Sequence, residues 1–148
     1  MLVTNIMLFL HIAAAILILG GLSFMDMIVP GLVRGGRDNL AVLRKLHSLA
    51  RVFGPSAFIV FLLGVGLVFN RHWKFSPAWI GASMLLFIVA ALIGAIPHTK
   101  TLEAAINKID EGHPADAEAS RLGMLGGINI LILLTILYLM VAKPGGTG

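Results

Sequence analysis

The chain has 148 residues, of which 58% are hydrophobic and only 12% are charged, and its formal net charge is +4. A soluble domain carries about 25% charged residues, so this composition indicates a membrane protein with the lipid bilayer as its surroundings. The absence of cysteine excludes disulfides, thiolate metal sites and cysteine nucleophiles. In a membrane protein the positive charge is typical of loops beside anionic lipid and does not indicate nucleic-acid binding.

Four apolar stretches reach the length of about 20 residues that a helix needs to cross a bilayer. They cover residues 5–29, 52–70, 78–97 and 123–142. Because backbone groups in lipid must be hydrogen-bonded internally, all four are expected to be helices. The predicted fold is an all-α, antiparallel four-helix membrane bundle that forms a single domain over residues 1–148. Pro30 and Gly31 are expected to end the first span.

The distribution of Lys and Arg predicts the orientation of the bundle. Eight lie in the first and third connections, and three lie at the other end: Arg34, Arg37, Arg44, Lys45, Arg51, Lys100, Lys108 and Arg121, against Arg71, Lys74 and Lys143. The positive-inside rule then places the long connections in the cytoplasm and both termini outside. Trp73, Trp79 and Tyr138 are expected to form an aromatic belt at the outer surface.

The two cytoplasmic connections are themselves predicted to be helical. After Asn39, apolar residues recur at helical spacing along one side, and Arg44 and Lys45 lie on the opposite side. This pattern is typical of an amphipathic helix, which is expected to run into the second span. A second apolar series continues the third span past Pro97, until Gly112 and Pro114 stop it. The bundle should therefore carry a helical collar on its cytoplasmic side.

His11 is the first candidate for chemistry, because ionisable groups inside a membrane are costly and are usually buried or functional. It lies about 9 Å inside the first span, at about 1.5 Å per residue. Gly64, Ser83, Met84 and Thr135 are expected at the same depth on the other spans. His11 with Met84, or His11 alone, would suit the iron of a haem b. The alternative is a neutral histidine hydrogen-bonded to Thr135 or to a backbone carbonyl.

A second candidate group lies at the cytoplasmic end, where His47, His98 and Asp26 are expected at similar depth. A bis-histidine haem site or a small metal site could form there. The alternative is an interfacial network in which Asp26 pairs with Arg44 or Arg51, because a buried carboxylate needs a partner. Asn129, the one amide well inside a span, is expected to hydrogen-bond between helices.

Several stretches together resemble a known family. They are the opening Phe9-Leu10-His11-Ile12-Ala13-Ala14, the Gly20-Gly21 pair, Pro30, and the closing Leu139-Met140-Val141-Ala142-Lys143-Pro144. The whole layout resembles the small bacterial integral membrane proteins of domain of unknown function 2269, which implies the bacterial cytoplasmic (inner) membrane. This family has no assigned activity, so the resemblance informs the fold more than the function.

The opening histidine followed by Gly-Gly also resembles the CopD-type copper-resistance proteins and the HemJ-type protoporphyrinogen oxidases, which bind haem b. The HemJ resemblance implies that His11 is essential. A lysine in the third helix is needed in that family, and residues 79–96 contain none.

Three functions follow as hypotheses. The first is a haem b protein with a redox or tetrapyrrole-related role, in which His11 is the favoured ligand. The second is a protein that handles copper or another small solute through Met25, Met27 or His11. The third is a cofactor-free accessory or structural subunit. Its glycine-rich faces would suit a homodimer or a larger membrane complex as well as the core of one bundle.

Overall fold

A computed structural model describes residues 2–70 and 78–144, and these residues form four long helices with no strand among them. The helices are α1 (Leu2–Arg34), α2 (Gly36–Asn70), α3 (Ala78–Asp110) and α4 (Asp116–Ala142), and all four are apolar and long enough to cross a membrane. The all-helical membrane bundle predicted from the sequence is therefore confirmed. Trp73, Arg71 and Lys74 lie outside the described residues.

The predicted end of the first span at Pro30 is wrong, because α1 continues through Pro30 to Arg34. Proline lacks the N–H that would bond the carbonyl four residues earlier, here that of Asp26. At this level α4 presents Gly126, and a Cβ atom there would lie 2.9 Å from Asp26 Cβ and 3.1 Å from Asp26 O. The missing side chain lets the two helices approach closely at the carbonyl that Pro30 leaves free.

The predicted collar is present, and it holds the best-packed part of the protein. The ends of the four helices enclose a cluster of buried side chains: Val29, Val33, Leu40, Leu43, Leu102, Ala105, Ile106, Ile109, Ala115, Ala119 and Leu122. The apolar stripes predicted on both amphipathic helices supply six of them. We call this cluster the collar core.

The helix pairing leaves space in the half of the bundle away from the collar. The first half of α1 packs against α2, its second half packs along α4, and the first half of α3 also packs along α4. In contrast, α2 and α3 make few contacts outside the collar. Phe61 of α2 and Phe87 of α3 stack across this gap with ring centroids 5.4 Å apart.

Two π-helical turns interrupt the regular helices, one beside the buried His11 and the other at the half-buried His98. The turn Ala15–Leu19 follows His11, and Gly20 donates its N–H to the carbonyl of Ala15. The turn Gly94–His98 includes Pro97 and ends at His98. Thr99 Oγ1 donates a hydrogen bond to the Gly94 carbonyl of this turn at 2.8 Å. Such turns often occur at functional sites.

Candidate functional site

His11 is held in one orientation on the inner face of α1. Its side chain is buried, and Nδ1 lies 3.0 Å from the carbonyl oxygen of Val60 on α2. A carbonyl can only accept, so His11 donates its Nδ1–H and the neutral ring carries its free lone pair on Nε2. Gly64 makes room for the ring, because a Cβ atom there would lie 3.0 Å from His11 Cε1. A histidine that ligates a metal usually donates its other ring N–H in this way.

His11 lines a cavity of about 520 Å³ to which all four helices contribute. Its polar side chains are His11, Ser23, Ser83 and Lys143, and the remaining walls are apolar or aromatic, including Phe61, Trp79 and Phe87. Pockets for small molecules and cofactors have volumes of about 300–1,000 Å³ and are mostly apolar with a few placed polar groups. The cavity can therefore hold a largely apolar ligand of cofactor size beside the histidine.

Three of the four residues predicted at the depth of His11 line this cavity with it, namely Gly64, Ser83 and Met84, and Thr135 does not. Ser83 is buried, with 4% of its surface exposed, and Met84 packs beside the cluster of Val68, Trp79 and Ile80. Thr135 is exposed on the outside of α4 and donates its hydroxyl to the Leu131 carbonyl at 2.8 Å. Of the two hydrogen-bond partners expected for His11, the backbone carbonyl is confirmed in Val60, and Thr135 is not the partner.

The second candidate group forms in part. His98 Nε2 lies 3.0 Å from Asp26 Oδ1, and their side chains are only 14% and 10% exposed. His98 Nε2 makes no hydrogen bond among the described residues. Its contact with Asp26 is therefore an ion pair, which carries opposite charges only when His98 is protonated. This pair joins α1 to α3 at the level where α1 meets Gly126 of α4.

The predicted pairing of Asp26 with a collar arginine is wrong. Arg44 pairs with Asp110 at 2.8 Å and Arg51 with Glu103 at 3.9 Å, and both arginine side chains are more than half exposed. The reason is physical: these guanidinium groups stay hydrated on the solvent face of the amphipathic helix, whereas reaching Asp26 would bury them. The histidine is the less costly partner for a carboxylate inside the bundle.

His47 and Asn129 do not complete a metal site with that pair. His47 Nε2 is buried and has no hydrogen-bond partner among the described residues. Asn129 lies at the contact of α4 with α3, where a Cβ atom on Gly94 would lie 3.9 Å from its Nδ2, and its Oδ1 is buried without a partner there. Within residues 2–70 and 78–144, no group of three or more His, Asp or Glu side chains could hold a metal ion.

The structure adds two site features that the sequence did not mark. One is the Val60 carbonyl, which no sequence pattern identifies because every residue has one. The other is the Ser83 hydroxyl, which has no hydrogen-bond partner within the described part of the chain. Ser83 was expected at this depth, but a serine among small residues gives no signal that its hydroxyl is unpaired.

A comparison with models of protein families shows which family the chain belongs to. The model of the predicted integral membrane protein family DUF2269 matches residues 5–144. The chain belongs to this family. No curated protein and no solved structure matches it. The DUF2269 match covers every described helix except the first residues of α1, so the cavity and the Asp26–His98 pair both lie within the family region.

Proposed function

We propose that this DUF2269 protein binds haem b in the cavity, with His11 as the axial ligand of the iron. The observation that carries the proposal is the hydrogen bond from His11 Nδ1 to the Val60 carbonyl. This bond leaves the lone pair of Nε2 available to ligate a metal. When bound, haem would supply one-electron redox chemistry, in keeping with a redox or tetrapyrrole-related role.

The surrounding residues suit such a group. Gly64 leaves the imidazole room against α2, and Gly20 on the cavity wall has nothing within 4 Å of an added Cβ atom. The Phe61–Phe87 stack bridges the gap between α2 and α3 and supplies an aromatic part of the cavity wall. These features keep the histidine in place and leave space beside it in a mostly apolar cavity, as a cofactor site requires.

Copper handling receives no comparable support. Met27 is 69% exposed on the outside of α1, so Met25 and Met27 do not face one site. Thioether ligands select copper only where several donors converge. The described residues bring no three His, Asp or Glu side chains together for an ion. We therefore do not propose a copper function.

For the location, we propose the bacterial inner membrane with the collar in the cytoplasm and both termini outside. The eight basic residues on the collar side support this through the positive-inside rule. Because the chain has no cysteine, single-cysteine variants give a clean test. An impermeant maleimide should label Leu2→Cys in intact spheroplasts and should label Lys45→Cys only after permeabilisation. The reverse pattern would invert the proposed orientation.

The function is tested by the absorption spectrum of detergent-purified protein from haem-replete cells, oxidised and then reduced with dithionite. We expect a Soret band that is lost in His11→Ala and retained in the matched variant His47→Ala. A normal band in His11→Ala would refute the assignment of the ligand. Colourless wild-type protein would instead favour the cofactor-free accessory subunit, and the next step would be the identification of a partner that co-purifies.

A further inference from the structure

Ser83 carries the one buried helix hydroxyl that has no hydrogen-bond partner among the described residues. Ser56, Thr101 and Thr135 each donate to the carbonyl four residues earlier, at 2.7–2.9 Å. Such local bonds satisfy a hydroxyl in an apolar setting without any partner from another helix. Ser83 is 4% exposed, yet its Oγ makes no such bond and no other within residues 2–70 and 78–144.

An unpartnered hydroxyl in an apolar wall is unfavourable, so a partner from outside the chain is expected. Ser83 lines the same cavity as His11, but it stands on α3, whereas His11 stands on α1 and is bonded to α2. Met84, the neighbouring candidate, packs against Val68, Trp79 and Ile80. Ser83 therefore presents, on the α3 side of the cavity, a hydroxyl that has no partner among the described residues and is available to a bound molecule.

We infer that Ser83 donates a hydrogen bond to a small exogenous ligand, of two or three atoms and able to accept a hydrogen bond, that binds in the cavity together with the haem. This inference rests on the proposed haem function. It assigns His11 as the residue of this chain that would hold the haem iron, and Ser83 as the residue in the part of the cavity where a small ligand would bind beside the haem. Hydrogen-bond donors in that part of a haem pocket determine which small ligands bind.

The test uses cyanide as the probe, titrated into the oxidised, haem-loaded protein and followed by the Soret band. Ser83→Ala should raise the cyanide Kd about tenfold, the loss expected for one hydrogen bond to a charged group. Ser83→Thr, which keeps a hydroxyl, should stay within about threefold of wild type. Thr135→Val is the matched control, because it removes a hydroxyl that is already satisfied within α4.

A second measurement is the C–O stretching frequency of the carbon monoxide complex of the reduced protein, which should shift in Ser83→Ala and not in Thr135→Val. Equal cyanide affinity in Ser83→Ala and wild type would overturn the inference while leaving haem binding intact. A six-coordinate spectrum that becomes five-coordinate in Met84→Leu would overturn it too, because Met84 would then hold the ligand position. Wild-type protein without a Soret band would overturn both the inference and the haem function.

Discussion

His98 Nε2 lies 3.0 Å from Asp26 Oδ1, and this buried pair ties α1 to α3 at the level where α1 crosses Gly126 of α4. Removing one partner of a buried pair leaves the other group without compensation, which costs about 3–5 kcal/mol. The pair therefore joins α1 and α3 at the level where α4 packs closely against Asp26.

We predict that Asp26→Ala and His98→Ala each lower the thermal stability of the detergent-purified protein substantially. The double variant should be less destabilised than the sum of the two, with a coupling free energy of about 1–3 kcal/mol. Asp110→Ala is the control, since its pair with Arg44 is exposed and should contribute about 0–1 kcal/mol. Strict additivity of Asp26→Ala and His98→Ala would show that the contact does not stabilise the bundle.

The crossing of α1 and α4 predicts different effects at two adjacent glycines. An added Cβ atom at Gly126 would meet Asp26 Cβ at 2.9 Å, whereas at Gly127 it would meet nothing within 4 Å. Gly126→Ala should force the helices apart at a cost of about 1–3 kcal/mol, the usual range for overpacking. Gly127→Ala should be neutral. Melting curves of the two variants compare them directly, and equal melting temperatures would contradict the close approach.

Gly64 is predicted to control the orientation of His11. Gly64→Val would place side-chain atoms on the imidazole, because even a Cβ atom there lies 3.0 Å from His11 Cε1. The ring would move, and its bond to the Val60 carbonyl would weaken. We expect haem content per protein, measured as the pyridine haemochrome, to fall at least several-fold. Gly81→Ala is the control, with nothing within 4 Å of the added atom, and it should keep full haem content.

The collar core is predicted to carry much of the stability of the fold. Leu43 is fully buried there, whereas the neighbouring Val42 is 47% exposed. Leu43→Ala should cost about 2–5 kcal/mol through lost packing and the cavity left behind. Val42→Ala should change stability by no more than about 0.5 kcal/mol, as is usual for surface sites. A similar loss of stability in both variants would contradict the burial of Leu43 in the collar core.

The sequence was sufficient for the fold because bilayer physics leaves few alternatives. The apolar run lengths predict the four helices, and the spacing of Leu40 and Leu43 predicts which face of the collar helix is buried. The course of α1 through Pro30 was not predictable from the spacing of residues, since the tolerance of a proline in a membrane helix depends on its neighbouring helices. The two π-helical turns were also not predictable, because no residue type marks such a turn.

For the candidate site, the sequence identified His11 and Asp26 because an ionisable group in an apolar run stands out. Their partners could not be predicted in the same way. Asp26 is paired with a histidine and not with an arginine because of the cost of burying a guanidinium, which depends on the packing of the collar. The unpaired hydroxyl of Ser83 is visible only when every nearby acceptor has been placed.

The most direct test of the haem assignment is to replace the ligand from solution. His11→Gly removes the imidazole while keeping the space beside Gly64 and Val60 that it occupies. We predict that this variant, purified from haem-replete cells, lacks the wild-type Soret band and regains it when haem and imidazole are added together, but not when haem is added alone. A His11→Gly protein that shows the wild-type spectrum without imidazole would contradict the account, because the iron would then be held by another residue.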